Sequence, residues 1–555
     1  MFPKNLTSVL SKLLLCLFVL QVPGQTIGEF GKLFNEQDLR STIRFIADDG
    51  FEGRGPGTRG GELAAKYIAN QLQLFGIKPA NNGSFFQPVS LVGVKTNPKI
   101  KLNLVSASGS TSFEFGSEFV GNTEAQTSRV TVDSEIVFVG YGIDAPEQNW
   151  NDFKGDREFY RDKVLVMLAN DPPATDVEPS LFGGKALTYY GRWTYKYEQA
   201  ARMGAAGVIL IHTDDSAGYG WNVVRTSNGN IRYEIARNPG DTSQYLKFRS
   251  WMTEDAARRL VSFTGHDLDQ LRSSARSRNF TPVNLGGKVA LDIKSEIKRV
   301  DSNNVIGVWE GRDPKLRSEY VAYTAHWDHL GIGEPNSQGD NIYNGALDNA
   351  SGVAQVLAIA NAFTKLPKAK QPLRSQVFIF VTAEEQGLLG ADWYTKKPIF
   401  PLSKTAANIN IDGGNFFGKT RDFGALGAER SSLWPLIRDV LTQRGLAYSP
   451  DTRPEQGFFF RSDHFPFAKA GVPALSIRTG TDFVGREKNW SEKFFAEYNA
   501  KNYHQPSDEF DENWAFDGMV QMLDTIFALG LRISNLQTLP KFNKGDEFAA
   551  AQPNR

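Results

Sequence analysis

The run Tyr323-Thr-Ala-His-Trp-Asp-His-Leu-Gly331 constrains this chain more than any other. The residues leading into it, Glu319-Tyr-Val-Ala-Tyr-Thr-Ala325, are apolar, aromatic and β-branched, and read as a buried strand. The apolar pattern stops at His326, and Trp327, Asp328 and His329 follow. Open α/β sheets bind their ligands at the carboxyl ends of strands. Imidazole nitrogen is a zinc ligand, and a nearby carboxylate can hold the ring by its other nitrogen. Taken alone, the same residues read equally well as loop side chains bonded to backbone.

Four more acidic residues and one histidine fall at comparable places. Asp348 lies in Tyr343-Asn-Gly-Ala-Leu-Asp-Asn-Ala-Ser-Gly352, where Asn349 or Ser351 could cap the helix that follows. It reads as a capping acid or as a carboxylate shared by two metals. Glu384 and Glu385 directly follow the apolar strand Gln376–Thr382. Adjacent carboxylates repel unless a cation is present. With zinc there, one can ligate and the other can act as general base. Asp412 follows Ala406-Ala-Asn-Ile-Asn-Ile411, and His504 sits in Tyr503-His-Gln-Pro-Ser-Asp508 ahead of a final helix. An Asx turn and an exposed loop histidine are the plain readings of these two.

The pattern from 303 to 535 alternates strands, near 319–325, 375–382, 406–411 and 473–478, with helices at 349–365, 390–396, 431–444 and 515–535. That order predicts an α/β fold with a doubly wound, mostly parallel sheet. Five residues of ligand type thus fall at strand ends, or in the adjoining loops, of one domain.

The segments H-W-D-H-L-G, N-G-A-L-D-N-A-S-G, T-A-E-E-Q-G-L-L-G-A, N-I-D-G-G and Y-H-Q-P-S-D resemble the co-catalytic di-zinc aminopeptidase family, which includes aminopeptidase Y and glutamate carboxypeptidase. E-G-R-G-P-G-T-R-G resembles that family's N-terminal segment, and residues 126–290 resemble the protease-associated domain many members carry as an insertion. The resemblance implies a zinc peptidase/phosphorylase-like three-layer sandwich, two Zn2+, and hydrolysis of N-terminal residues from peptides. In it His326 and Asp412 hold one zinc, Glu385 and His504 the other, and Asp348 bridges them. Asp328 orients His326, next to a cis peptide, and Glu384 is the general base. His329 has no ligand role and reads as support or packing.

Ser462-Asp463-His464 resembles a family motif and reads as a wall of the substrate site, since three adjacent residues cannot face one another as a nucleophilic triad. Relatives often carry a tyrosine three residues before it, whose hydroxyl helps stabilise the oxyanion. Phe459 stands there instead, between Phe458 and Phe460, and has no hydroxyl to donate. Tyr503 is the substitute donor nearest in sequence. A carboxypeptidase or dipeptidase of the same fold shares the ligands. A glutaminyl cyclase uses one zinc and lacks the full five-ligand set. A receptor-like binding protein that has lost its metals is a further reading, against which all five ligands and Glu384 are present.

With 555 residues the length suggests two to four domains. Lys plus Arg and Asp plus Glu are 62 each, so there is no basic footprint for nucleic acid. Lys4 and Lys12 flank the start of the chain, and Leu13-Leu-Leu-Cys-Leu-Phe-Val-Leu20 is too short to span a bilayer. Residues 1–24 therefore read as a signal peptide cut after Gly24, giving an exported chain, periplasmic or secreted, with no stable membrane insertion. Cys16 is the only cysteine, so the mature chain would hold no disulfide. The remaining divisions are 25–125 as the N-terminal part of the peptidase domain, 126–290 as the insertion, 291–535 as the catalytic domain, and 536–555 as a loose polar tail.

Overall fold

The computed structural model describes residues 29–552, apart from 218–219, 230, 239, 334 and the side chains of 226–229. The expected signal segment, 1–24, lies outside the described residues. No helix among the described residues is long and apolar enough to cross a membrane.

The chain is mixed α/β. At its centre Ser375–Val381, Tyr320–His326, Thr405–Ile411 and Ala474–Arg478 lie side by side in that order, all parallel. The first and third are buried along their whole length. Strands covered on both faces read as continuous apolar runs. Residues 377–381 do, whereas Thr405–Ile411 also buries Asn408 and Asn410, which donate to Thr324 Oγ1 at 3.1 Å and Ser462 Oγ at 2.7 Å. One face is covered by Glu36–Ile46, Arg59–Leu74, Ser351–Thr364 and Asp517–Ser534, and the other by Leu389–Lys396 and His464–Lys469.

The sheet is closed on each side by antiparallel pairing. Val283–Trp309 runs antiparallel to Ser375–Val381, and Asp422–Leu426 antiparallel to Ala474–Arg478. The three-residue strand Ala447–Ser449 forms the far edge. Sequence periodicity does not single out these short outer strands. It also passes over the helix Trp490–Lys501, whose aromatic residues fall on no clean helical face.

A second hydrophobic core gathers residues from Ile100 to Ile293. Its sheet holds Arg129–Phe138, Val164–Leu168, Gly207–His212 and Phe248–Thr253 as successive parallel neighbours. The hairpin Lys101–Ser106 with Gly109–Glu114 also joins this sheet, so the lobe takes in residues ahead of 126. The long strand Val283–Trp309 links the lobes. Its first half pairs with Arg129–Phe138, and its second half with Phe86–Thr96 and Ser375–Val381.

The expectation of a loose C-terminal tail is corrected. Phe542 and Phe548 are buried, and the Arg430 guanidinium bonds Asp546 at 2.8 Å and Glu547 at 2.7 Å. Two aromatic side chains and a paired arginine hold a stretch whose composition is otherwise polar. The second lobe also touches the part of the chain that carries Pro454 and Lys469: the Leu187 N–H donates to the Pro454 carbonyl at 3.0 Å, and Lys469 Nζ donates to the Tyr189 hydroxyl at 2.7 Å.

Candidate metal centre

The strand Tyr320–His326 ends with His326 fully buried. Its Nδ1 stands 3.1 Å from the main-chain oxygen of Asp328. A carbonyl only accepts, so Nδ1 carries the hydrogen and Nε2 presents a lone pair. That lone pair faces Asp348 Oδ1 at 3.2 Å and Asp412 Oδ1 at 3.4 Å. A lone pair opposite two carboxylates calls for a cation between them. Without one the ring must take a second proton. Burial opposes that, but Glu384, Asp348 and Asp412 outweigh it and push the His326 pKa well above the ordinary imidazole value.

Asp348 closes the turn that precedes the helix Ser351–Thr364. Its other oxygen, Oδ2, lies 3.2 Å from His504 Nε2, which is also 3.0 Å from Glu385 Oε2. Two ligand atoms at ~2.0–2.1 Å from one tetrahedral ion stand roughly 3.3 Å apart. The donor atoms here have that spacing. Two three-residue groups, His326 with Glu384 and Asp412, and His326 with Asp348 and Glu385, each bring their donor atoms within 4.8 Å. The donor set is imidazole and carboxylate, which suits zinc.

The turn is held from several sides. Asn349 Oδ1 accepts from Gly352 N at 2.8 Å, capping the helix, and from Gly413 N at 3.0 Å, next to Asp412. The cis peptide joins Asp348 to Asn349, not a residue beside Asp328. Asp508 accepts from Leu347 N and Asp348 N at 3.1 and 3.0 Å.

Asp328 differs from the expected role. Its carboxylate is 3.9 Å from His326 Nδ1, and the main-chain carbonyl makes the hydrogen bond instead. Asp328 Oδ1 accepts from the Glu384 backbone N–H at 3.2 Å, so the carboxylate supports the strand end that carries Glu384. Burial raises its pKa to about 7, against the pull of His326. Glu384 is pushed well above the ordinary carboxyl range, first by burial and then, against His326, by Asp463, Glu385 and Asp412.

The expected substrate wall is a backing layer. Ser462, Asp463 and His464 are completely buried, so none presents surface to a substrate. Ser462 Oγ donates to Asp412 Oδ2 at 2.6 Å and accepts from Asn410 Nδ2 at 2.7 Å. Phe459 is buried too. It packs edge-on against His464 with centroids 4.7 Å apart, and Arg430 lies 4.7 Å over its ring. A packed core position is apolar because nothing there needs a donor. Tyr503 stacks on His504 at 3.8 Å and is 47% exposed, which leaves its hydroxyl available.

Sequence patterns did not reveal Arg54, although its motif G-R-G-P-G was visible. The side chain is fully buried beside the site. It donates to the carbonyls of Trp327 at 2.9 Å, Ile46 at 3.1 Å, Asn344 at 2.5 Å and Gly345 at 2.9 Å. One guanidinium thus ties the loop after His326 to the loop before Asp348. Burial lowers its pKa to about 10, and the nearby Asp508 and Asp328 oppose the fall, so it stays charged at neutral pH.

Residues 304–529 match peptidase family M28. The chain is similar to a protein named probable leucine aminopeptidase 2 of Aspergillus oryzae, 26% identical over 46% of this chain and 50% of that one. It is also similar to aminopeptidase YwaD of Bacillus subtilis, 27% identical over 38% of this chain and 40% of that one. It spans about half the length of the curated relatives it matches. Among solved structures, the aminopeptidase from Aneurinibacillus sp. strain AM-1 aligns over 95% of this chain and 98% of its own, with 18% identity and a TM-score of 0.48. The segment that resembles peptidase family M28 takes in every candidate metal ligand, from His326 to His504.

Proposed function

We propose that the chain is an exported zinc-dependent aminopeptidase that removes N-terminal residues from peptides by two-metal hydrolysis. The observation that carries this reading is Asp348, whose two oxygens face His326 and His504 at 3.2 Å each. One carboxylate between two donor sets is what a bridging ligand must be. His326 and Asp412 would hold one Zn2+, and Glu385 and His504 the other.

Two bound zinc ions supply an activated water and polarise the scissile carbonyl. Glu384 lies with His326 and Asp412 and is left free of ligand duty in this assignment. Its carboxylate accepts the proton of the attacking water and returns it to the nitrogen of the leaving peptide. Asp328 holds the Glu384 backbone, and Ser462 fixes the second oxygen of Asp412. The relatives named as aminopeptidases support cleavage at the N-terminus.

The test is a panel of aminoacyl arylamides set against N-blocked and C-terminal substrates. Hydrolysis confined to free N-termini supports the reading. Cleavage of N-blocked or C-terminal substrates alone contradicts it. Export rests on the short apolar run after Lys12. Mass spectrometry of secreted or periplasmic protein should find a chain starting at or near Gln25, and full-length cytoplasmic protein would contradict export. Residues 126–290 are assigned as the protease-associated insertion, and the partners are peptides rather than nucleic acid.

A further inference from the structure

His329 is the one histidine of the H-W-D-H run without a ligand assignment. It is fully buried, and its Nδ1 stands 2.6 Å from Glu385 Oε1. Its Nε2 has no hydrogen-bond partner among the described residues. The ring therefore carries its hydrogen on Nδ1 and donates it to Glu385.

The ring is held in place. Its backbone N–H donates to the Arg54 carbonyl at 3.3 Å. Its edge meets the His504 ring, with centroids 5.7 Å apart. Gly345 closes on it so tightly that a Cβ there would lie 2.6 Å from the ring. Glu385 is thereby split between two tasks. Oε1 belongs to His329, and Oε2 lies 3.0 Å from His504 Nε2.

A carboxylate can ligate through one oxygen or through both, and its terminal torsion is soft enough to allow either. We infer that His329 is a positioning residue that holds Glu385 Oε1 and so makes Glu385 a one-oxygen ligand beside His504. Released from His329, Glu385 would be free to turn and engage with both oxygens, filling a coordination position that substrate atoms need. The inference rests on the two-metal reading above, and it assigns His329 a function that its place in the sequence does not show.

The experiment measures zinc affinity of metal-stripped protein by competition with a chromophoric chelator. Absorption spectra of the cobalt-substituted protein are recorded alongside, so neither readout depends on turnover. His329→Phe keeps a ring and removes the donor. His329→Asn keeps an N–H donor near the Nδ1 position. The expected result is a cobalt spectrum in His329→Phe with the weaker absorption of a higher-coordinate ion, a zinc affinity at one site changed by about 10-fold or more, and both properties restored in His329→Asn. If the phenylalanine variant does not fold, His329→Leu removes the donor at smaller volume. Wild-type affinity and an unchanged spectrum in a folded donor-free variant would overturn the inference while leaving the metal reading intact. Wild-type protein that binds no zinc would overturn both.

Discussion

The carboxylate of Asp508 closes on the backbone of Asp348, with Oδ2 accepting the Asp348 N–H at 3.0 Å. Its other oxygen takes the Leu347 N–H, and the Asp508 carbonyl takes that of Ala346. The loop that presents His504 therefore also builds the turn that presents Asp348. Asp508→Ala strips two buried amides of their acceptor, at about 1–3 kcal/mol each. The variant should melt lower and bind zinc about 10- to 100-fold more weakly, as measured by thermal unfolding and metal titration. Unchanged zinc affinity would mean the turn is set without it.

Glu384 and Glu385 are neighbours with different assignments, and substitution separates them. Glu384→Gln should retain both metals and lose about 100-fold or more in kcat. Glu385→Gln should weaken the metal beside His504. Metal analysis and kinetics on both variants check this, and full activity with full metal in both would refute the assignment.

His464 gives a pH prediction. Burial, with Arg478 adding to it, holds its pKa down at about 3, from an ordinary value of 6.5. A depressed histidine contributes stability that is fully present above the unfolded pKa and is lost as pH falls towards the folded one. Between pH 6.5 and 3 the unfolded chain takes up a proton that the folded chain refuses, a slope approaching ~1.4 kcal/mol per pH unit. His464→Phe should flatten the dependence of Tm on pH across that window. An identical slope in variant and parent would show that other groups set it.

The oxyanion donor is tested at Tyr503, not Phe459. Phe459 is enclosed by His464, Phe548 and Arg430, so Phe459→Tyr should bring instability and no gain in rate. Tyr503→Phe preserves the stack on His504 and removes only the hydroxyl. If that hydroxyl serves the oxyanion, kcat should fall about 10²- to 10³-fold with metal retained. No loss would leave the oxyanion to the metals alone.

The central strands were legible because each is rich in apolar residues, and two of them, Tyr320–His326 and Thr405–Ile411, run straight into a residue of ligand type, His326 and Asp412. Tyr320–His326 and Thr405–Ile411 begin and end within a residue or so of where the pattern places them. The convergence of those strand ends also follows from parallel topology, which puts every carboxyl end on one edge. What the sequence hid lies in contacts between distant segments. Arg54 reaches carbonyls on three separate segments, Asp508 bonds the backbone of the turn that carries Asp348, and His329 acts through Glu385. None of these has a spacing signature. Asp328 looked like the orienting acid because of its place two residues on, yet its carbonyl rather than its carboxylate reaches the ring.

The central claim is that Asp348 joins two metal positions, and the metal content of purified protein tests it most directly. Elemental analysis should find close to two zinc ions per chain. Chelation should remove them, abolish activity and lower Tm, since a ligand bound only by the folded state stabilises it. Active protein free of transition metal, or an active form saturated by a single ion, would contradict the account.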